Sequence, residues 1–182
     1  MKKRFMSLLL TAAMIVSMVV VPAAAADSLD MKIGAATTSD GSTTVMPGSE
    51  ISVPVEITAN PGTAGIYVEF HYDTDVLTCT GVTYPAEGAI YSSSVTNADE
   101  AGTGVALVIA SQAGNTTATG TYATLSFTVA ADVSVDSTAI TMQILDSDEY
   151  NCFNESYEAV PYTFTDGSIE ITYPATATTG EP

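Results

Sequence analysis

Two kinds of chemistry lie within reach of the residue types in this 182-residue chain: acid–base work by carboxylates, and coordination of a hard cation. It carries 21 Asp and Glu but one histidine, His71. A glycosidase needs two carboxylates, which are present in excess. It also needs a sugar platform, and the chain has no Trp. His71 falls beside Glu69, in the strand phase opposite Phe70 and Tyr72, so it reads as exposed. A Ser-His-Asp arrangement has no G-x-S-x-G elbow to support it. After Ala26 there is one lysine, Lys32, and no arginine, which leaves little to hold an anionic substrate. Asp146, Asp148, Glu149, Glu155 and Glu158 are hard oxygen ligands of the kind calcium takes, but their spacing fits no EF-hand loop and reads as a solvated acidic loop. Cys79, Cys152 and His71 make an incomplete metal set. The residue types therefore point away from an enzyme, and no cofactor is implied.

The first residues address the compartment. Lys2, Lys3 and Arg4 precede an apolar run from Phe5 to Val21, then Pro22 and four alanines. This is the layout of a secretory signal peptide over residues 1–26, cleaved after Ala26. The apolar run is short for a membrane span. Every acidic residue follows Ala26 and only one base does, so the mature chain carries about −20. Such a charge repels nucleic acid and anionic lipid. Export also permits a disulfide between Cys79 and Cys152. Cys79 lies in the apolar phase of a strand and reads equally as a small core residue, so both readings stand.

These residues must be positioned by strands. Val, Ile, Thr and Tyr recur in short alternating runs divided by Gly, Pro, Asn and Asp, without helical periodicity. The runs predict strands at 30–37, 50–59, 64–72, 76–84, a weaker one at 89–96, then 104–111, 120–130, 137–145 and 163–173. Nine short strands predict an all-β fold, a β-sandwich of jelly-roll or Greek-key wiring over residues 27–173, followed by a Thr- and Ala-rich tail at 174–182. Pro54, inside a strand, predicts an edge or a break in pairing. Asp73 predicts a side-chain cap on the following turn, and Gly167 a turn before the last strand. Tyr67, Tyr84, Tyr91, Tyr150, Tyr157 and Tyr162 read as candidates for exposure, which keeps a carbohydrate-binding module open as an alternative, beside a surface adhesin domain.

Four segments resemble one family. P-G-S-E-I-S-V-P-V-E-I at 47–57, G-I-Y-V-E-F-H-Y-D-T-D-V-L at 65–77, G-T-Y-A-T-L-S-F-T-V at 120–129 and D-G-S-I-E-I at 166–171 occur in the order seen in cohesin domains. The resemblance implies a nine-stranded jelly-roll sandwich. It also implies a secreted, non-catalytic module that binds dockerin-containing proteins in cellulosome-like scaffolds for polysaccharide degradation. Calcium is then expected on the dockerin, not here.

The same resemblance implies a binding face on the third, fifth, sixth and eighth strands. Mapping by strand phase predicts outward Tyr67, Glu69 and His71 on the third, and Ala106, Val108 and Ala110 with Ser111 on the sixth, followed by a loop at 112–119. A slip of one residue in that sixth strand would reverse its assignment. Gly65 and Tyr67 stand where familiar cohesins carry polar groups. Tyr67 and the small apolar strip would centre the contact, inside an acidic rim that speeds encounter with a basic helix.

Overall fold

The computed structural model describes residues 27–174. The leader at 1–26 and the tail beyond Pro174 lie outside them. The strands are β1 (Leu29–Ile33), β2 (Thr37–Thr38), β3 (Glu50–Ala59), β4 (Thr63–Tyr72), β5 (Leu77–Thr83), β6 (Ser93–Asn97), β7 (Val105–Thr116), β8 (Gly120–Val129), β9 (Ser137–Ile144), β10 (Cys152–Phe153), β11 (Tyr162–Thr165) and β12 (Gly167–Glu170). Two 3-10 turns, Leu145–Ser147 and Glu149–Asn151, join β9 to β10. One sheet runs β11-β1-β3-β8-β5 with β2 on β3; the other runs β12-β9-β4-β7-β6 with β10 on β4. The pair forms the expected sandwich. Two of the additional strands are the two-residue β2 and β10. The third arises because the predicted last strand breaks at Asp166 and crosses between sheets.

Alternation explains why these segments pair as they do. In β3, Ile51, Val53, Val55 and Ile57 all face inward and are buried. Each such side chain contributes about 1.5–3 kcal/mol on burial. Pro54 sits where the edge of β3 changes partner, from β2 at Ile51 and Ser52 to β1 from Val55 onward. That is the break in pairing its missing N–H requires. Asp73 caps its turn as predicted, its Oδ1 accepting from the Asp75 amide at 2.9 Å. Gly167 has a different role from the one expected. It opens β12 where a Cβ would come within 2.4 Å of Ile33 Cγ2, so close packing between strands excludes a side chain.

The two sheets are tied by buried tyrosines. Tyr122 of β8 is wholly buried, and its hydroxyl donates across the core to the Ile66 carbonyl at 2.9 Å, with the Val108 carbonyl at 3.2 Å. Tyr91 is also buried, contrary to the expectation of exposure. Its hydroxyl meets Thr63 Oγ1 at 2.6 Å, and its amide donates to Tyr84 Oη at 2.8 Å. The segment before β6 thus enters the core as a plug, which explains why its strand starts later than the sequence suggests.

A hairpin latch closes one end. Asp99, in the β6–β7 loop, is buried with a left-handed backbone (φ 56°). Its carboxylate accepts from Tyr72 Oη, from the amide and hydroxyl of Thr103, and from the amides of Gly104 and Val105. Desolvation pushes its pKa up, but these hydrogen bonds outweigh it and hold the carboxyl well below the usual range. Burial, then the bond to Asp99, pushes the Tyr72 hydroxyl up.

Candidate protein-binding face

The second sheet places β9, β4, β7 and β6 side by side. Counted along the nine long strands expected from the sequence, these are the eighth, third, sixth and fifth. Cross-strand register then lays out the outer face in rows. Val95 of β6 stands opposite Ile109 of β7, which stands opposite Tyr67 of β4. The next row is Asn97, Leu107, Glu69 and Gln143, and the one after it joins Val105, His71 and Thr141. Tyr67, Glu69, His71 and Ser111 therefore lie on this face, each partly open to solvent.

Ala106, Val108 and Ala110 do not. All three are fully buried and face the opposite sheet. The sixth-strand phase predicted from sequence is off by one residue, and the outward apolar positions are Val105, Leu107 and Ile109. The physical reason is that β7 is apolar in both phases, so hydrophobic alternation cannot orient it. Register decides: Val68 pairs with Val108 in the core phase, which sends Ile109 outward beside Tyr67. Side-chain size was the available signal. The smaller residues Ala106 and Ala110 leave room in a core that also holds Tyr122 and Phe70. β7 also runs on to Thr116, through most of the segment predicted as a loop.

The face carries an apolar strip with one carboxylate, Glu69, beside it. Val95 is 62% exposed on the edge strand, and Leu107 and Ile109 remain partly open. Glu69 Oε2 and His71 Nε2 are 3.1 Å apart. Lys32 lies on the other sheet, in β1, paired with Glu56 at 2.9 Å.

Residues 146–160, predicted as a solvated acidic loop, do more than that. β10 adds to the edge of β4 at Gly65 and Ile66, continuing the edge that β9 covers from Val68 to Tyr72. Phe153 lies over Gly65, where a Cβ would come within 2.4 Å of its Cζ. Its ring meets Tyr67 edge-on at 5.6 Å and stacks on Tyr157 at 5.6 Å. Sequence reading named Tyr67 and Tyr157 as candidates for exposure but missed Phe153, which joins them, because a two-residue strand has no periodicity to detect.

The catalytic and metal candidates do not assemble. Among the described residues no three His, Cys, Asp or Glu side chains gather as a metal-binding group. Both cysteines are free, Cys152 in β10 and Cys79 in β5 of the opposite sheet. Burial pushes the Cys152 thiol up to about 12 and also raises Cys79, so neither is a ready thiolate. His71 lines none of the surface depressions around Glu50, Thr83, Ala36 and Asp132.

A profile of the Cohesin domain family matches residues 35–177. No curated protein sequence matches the chain. Solved structures give the same fold at low identity. The seventh ScaB type I cohesin from Pseudobacteroides cellulosolvens is 17% identical, with a TM-score of 0.59 over 85% of this chain and 99% of its own. A non-cellulosomal cohesin from the archaeon Archaeoglobus fulgidus is 18% identical, with a TM-score of 0.60 over 80% and 92%. A cohesin solved in a type I cohesin–dockerin complex from Clostridium thermocellum is 16% identical, with a TM-score of 0.58 over 80% and 99%.

Proposed function

The chain belongs to the cohesin domain family, and from that premise we propose that it is a non-catalytic, exported module that docks dockerin-bearing proteins into an extracellular multi-enzyme scaffold. The observation that carries the reading is the outer face of β9-β4-β7-β6. It is a continuous sheet surface on which Leu107, Ile109 and Tyr67 run from the centre toward Val95 at the edge, with Glu69 and His71 beside them. A contact of standard size buries roughly 1,600 Å² in total, which a face of this extent can supply. Tyr67 and Ile109 would be its energetic centre and Glu69 part of a polar margin. The mature charge of about −20 favours a partner with a basic docking surface and speeds their encounter. Calcium belongs to the dockerin in this reading, holding the partner's fold rather than bridging the contact.

The test is a screen of dockerins from the same genome by calorimetry, with calcium present. Micromolar or tighter binding by at least one supports the assignment; binding by none overturns it. Adding a chelator to a positive pair should abolish binding while leaving the circular dichroism of this domain unchanged.

A further inference from the structure

The segment that caps the face holds a feature that docking on the sheet alone does not use. Tyr157 is 78% exposed and has a left-handed backbone, φ 60°, which a non-glycine residue holds only under strain. A dense turn enforces it. The Tyr157 amide donates to the Asn154 carbonyl at 2.9 Å, and the Asn154 amide donates to the Glu158 carbonyl at 3.0 Å. Asn154 Oδ1 accepts from the amides of Ser156 and Glu158, and its Nδ2 donates to Glu158 Oε2. The turn is fixed to β7 through the Glu155 amide and Asn115 Oδ1 at 2.7 Å. Its ring lies flat on Phe153, which is seated over Gly65 and abuts Tyr67. A strained, braced turn thus presents one open aromatic ring, joined through Phe153 to the docking face. Glu155 and Glu158 flank it in sequence, and the described residues contain no lysine or arginine but Lys32, on the other sheet.

We propose that Tyr157 is a cation-receiving shelf: the docked partner places an arginine or lysine side chain on its open ring, within the field of Glu155 and Glu158. An open π-face flanked in sequence by two carboxylates, with no lysine or arginine on its sheet, is the chemistry that recognises guanidinium or ammonium. The shelf extends the contact beyond β4 and β7 onto residues 153–158, and so sets which dockerins bind. This inference rests on the docking reading above.

The experiment uses the dockerin that binds most tightly in the screen. Tyr157→Ala should weaken it about fivefold or more, and Tyr157→Phe should stay within about twofold, because the ring and not the hydroxyl receives the cation. Each Arg and Lys of that dockerin is then changed to Gln. One change should cost a similar factor against wild type and almost nothing against Tyr157→Ala, the mark of a coupled pair. Melting curves confirm that the variants fold. Binding by Tyr157→Ala within twofold of wild type, while Ile109→Asp abolishes it, overturns the shelf and leaves the docking face standing. An effect of Tyr157→Ala coupled to no partner base overturns the cation. Retardation on polysaccharide gels that Tyr157→Ala removes would make the ring a sugar platform, against the proposal. No binding by any dockerin to the wild-type domain overturns both readings together.

Discussion

Placing a carboxylate at two neighbouring positions of β7 separates the docking face from the core. Val108 and Ile109 are adjacent in sequence but point to opposite sides of the second sheet. Val108 is fully buried between the sheets, so Val108→Asp must either bury a charge or take up a proton, and it also loses the packing of its own methyl groups. The buried, unpaired acid costs several kcal/mol and the lost packing about 2 more. Against a usual domain stability of 5–15 kcal/mol, that removes most or all of the fold. Ile109 stands on the outer face beside Val95 and Tyr67, where an aspartate keeps water contact, and Ile109→Asp should cost no more than about 1 kcal/mol. The assay is urea unfolding of both variants, followed by calorimetry against a bound dockerin. Ile109→Asp should melt near wild type and lose at least thirtyfold in affinity, about 2 kcal/mol at the centre of an interface. Val108→Asp should be largely unfolded. The opposite pattern, with Val108→Asp folded and Ile109→Asp not, would refute the register of β4 on β7 and restore the phase first read from sequence.

Other perturbations test separate parts of the structure. Asp99→Ala removes the acceptor of five hydrogen bonds, two of them from Gly104 and Tyr72, and should destabilise the domain by about 2–4 kcal/mol in chemical unfolding. Because Asp99 is depressed in the folded state, the stability it adds is present above about pH 4, its unfolded value, and falls away as pH drops below that. Acid titration should therefore show wild type losing more stability than Asp99→Asn between about pH 4 and 2. Tyr122→Phe removes the buried hydroxyl shared by the Ile66 and Val108 carbonyls and should lower Tm by about 2–6 °C. Gly65→Ala should eject the Phe153 ring, visible as faster proteolysis within residues 145–160 and weaker dockerin binding. Expressed with its leader, the protein should be recovered from the medium with Asp27 as its first residue by amino-terminal sequencing.

Which parts of this molecule were legible follows from how each residue is constrained. β3 could be read to the residue because one phase is apolar and the other polar, so period two carries both its ends and its face. Tyr67, Glu69 and His71 could be placed for the same reason: Ile66, Val68 and Phe70 occupy the opposite phase of β4. β7 defeats the same rule because Val105, Leu107 and Ile109 are as apolar as the phase they alternate with. An outward phase that apolar is what the proposed docking face would present, so on that reading the ambiguity and the function share one cause. Tyr91 was misplaced because its burial depends on partners that strand alternation does not reveal: Thr63, 28 residues away, for its hydroxyl, and the Tyr84 hydroxyl for its amide. Phe153 escaped for a further reason. The seat that Phe153 takes is an absence, the missing Cβ of Gly65 in β4, and a glycine within an alternating strand does not say what will fill the space above it.

The same contrast bears on how the family fold is turned to a particular partner. Strand order and the inward phases are held by the core: Val53, Val68, Leu125 and Ile140 are all fully buried, and a polar change at any of them would cost the fold. Nothing of that kind restrains Val95, Ile109 or Tyr157, whose exposed surface contributes little to stability. Substitutions at these positions can therefore alter partner choice at almost no structural cost. The turn at residues 154–158 is the exception among exposed segments. Its left-handed Tyr157 is costly to hold, and the bonds of Asn154 and the stack on Phe153 offset that cost without adding to the core. Rigid presentation of one ring lowers the entropy lost when a partner side chain lands on it, which is where a braced loop gains over a mobile one. On that argument, loosening the turn with Asn154→Ala should leave melting within a few degrees of wild type, yet raise the dissociation rate of a bound dockerin severalfold in surface-plasmon measurements. An unchanged dissociation rate would mean that the bracing of this turn plays no part in recognition.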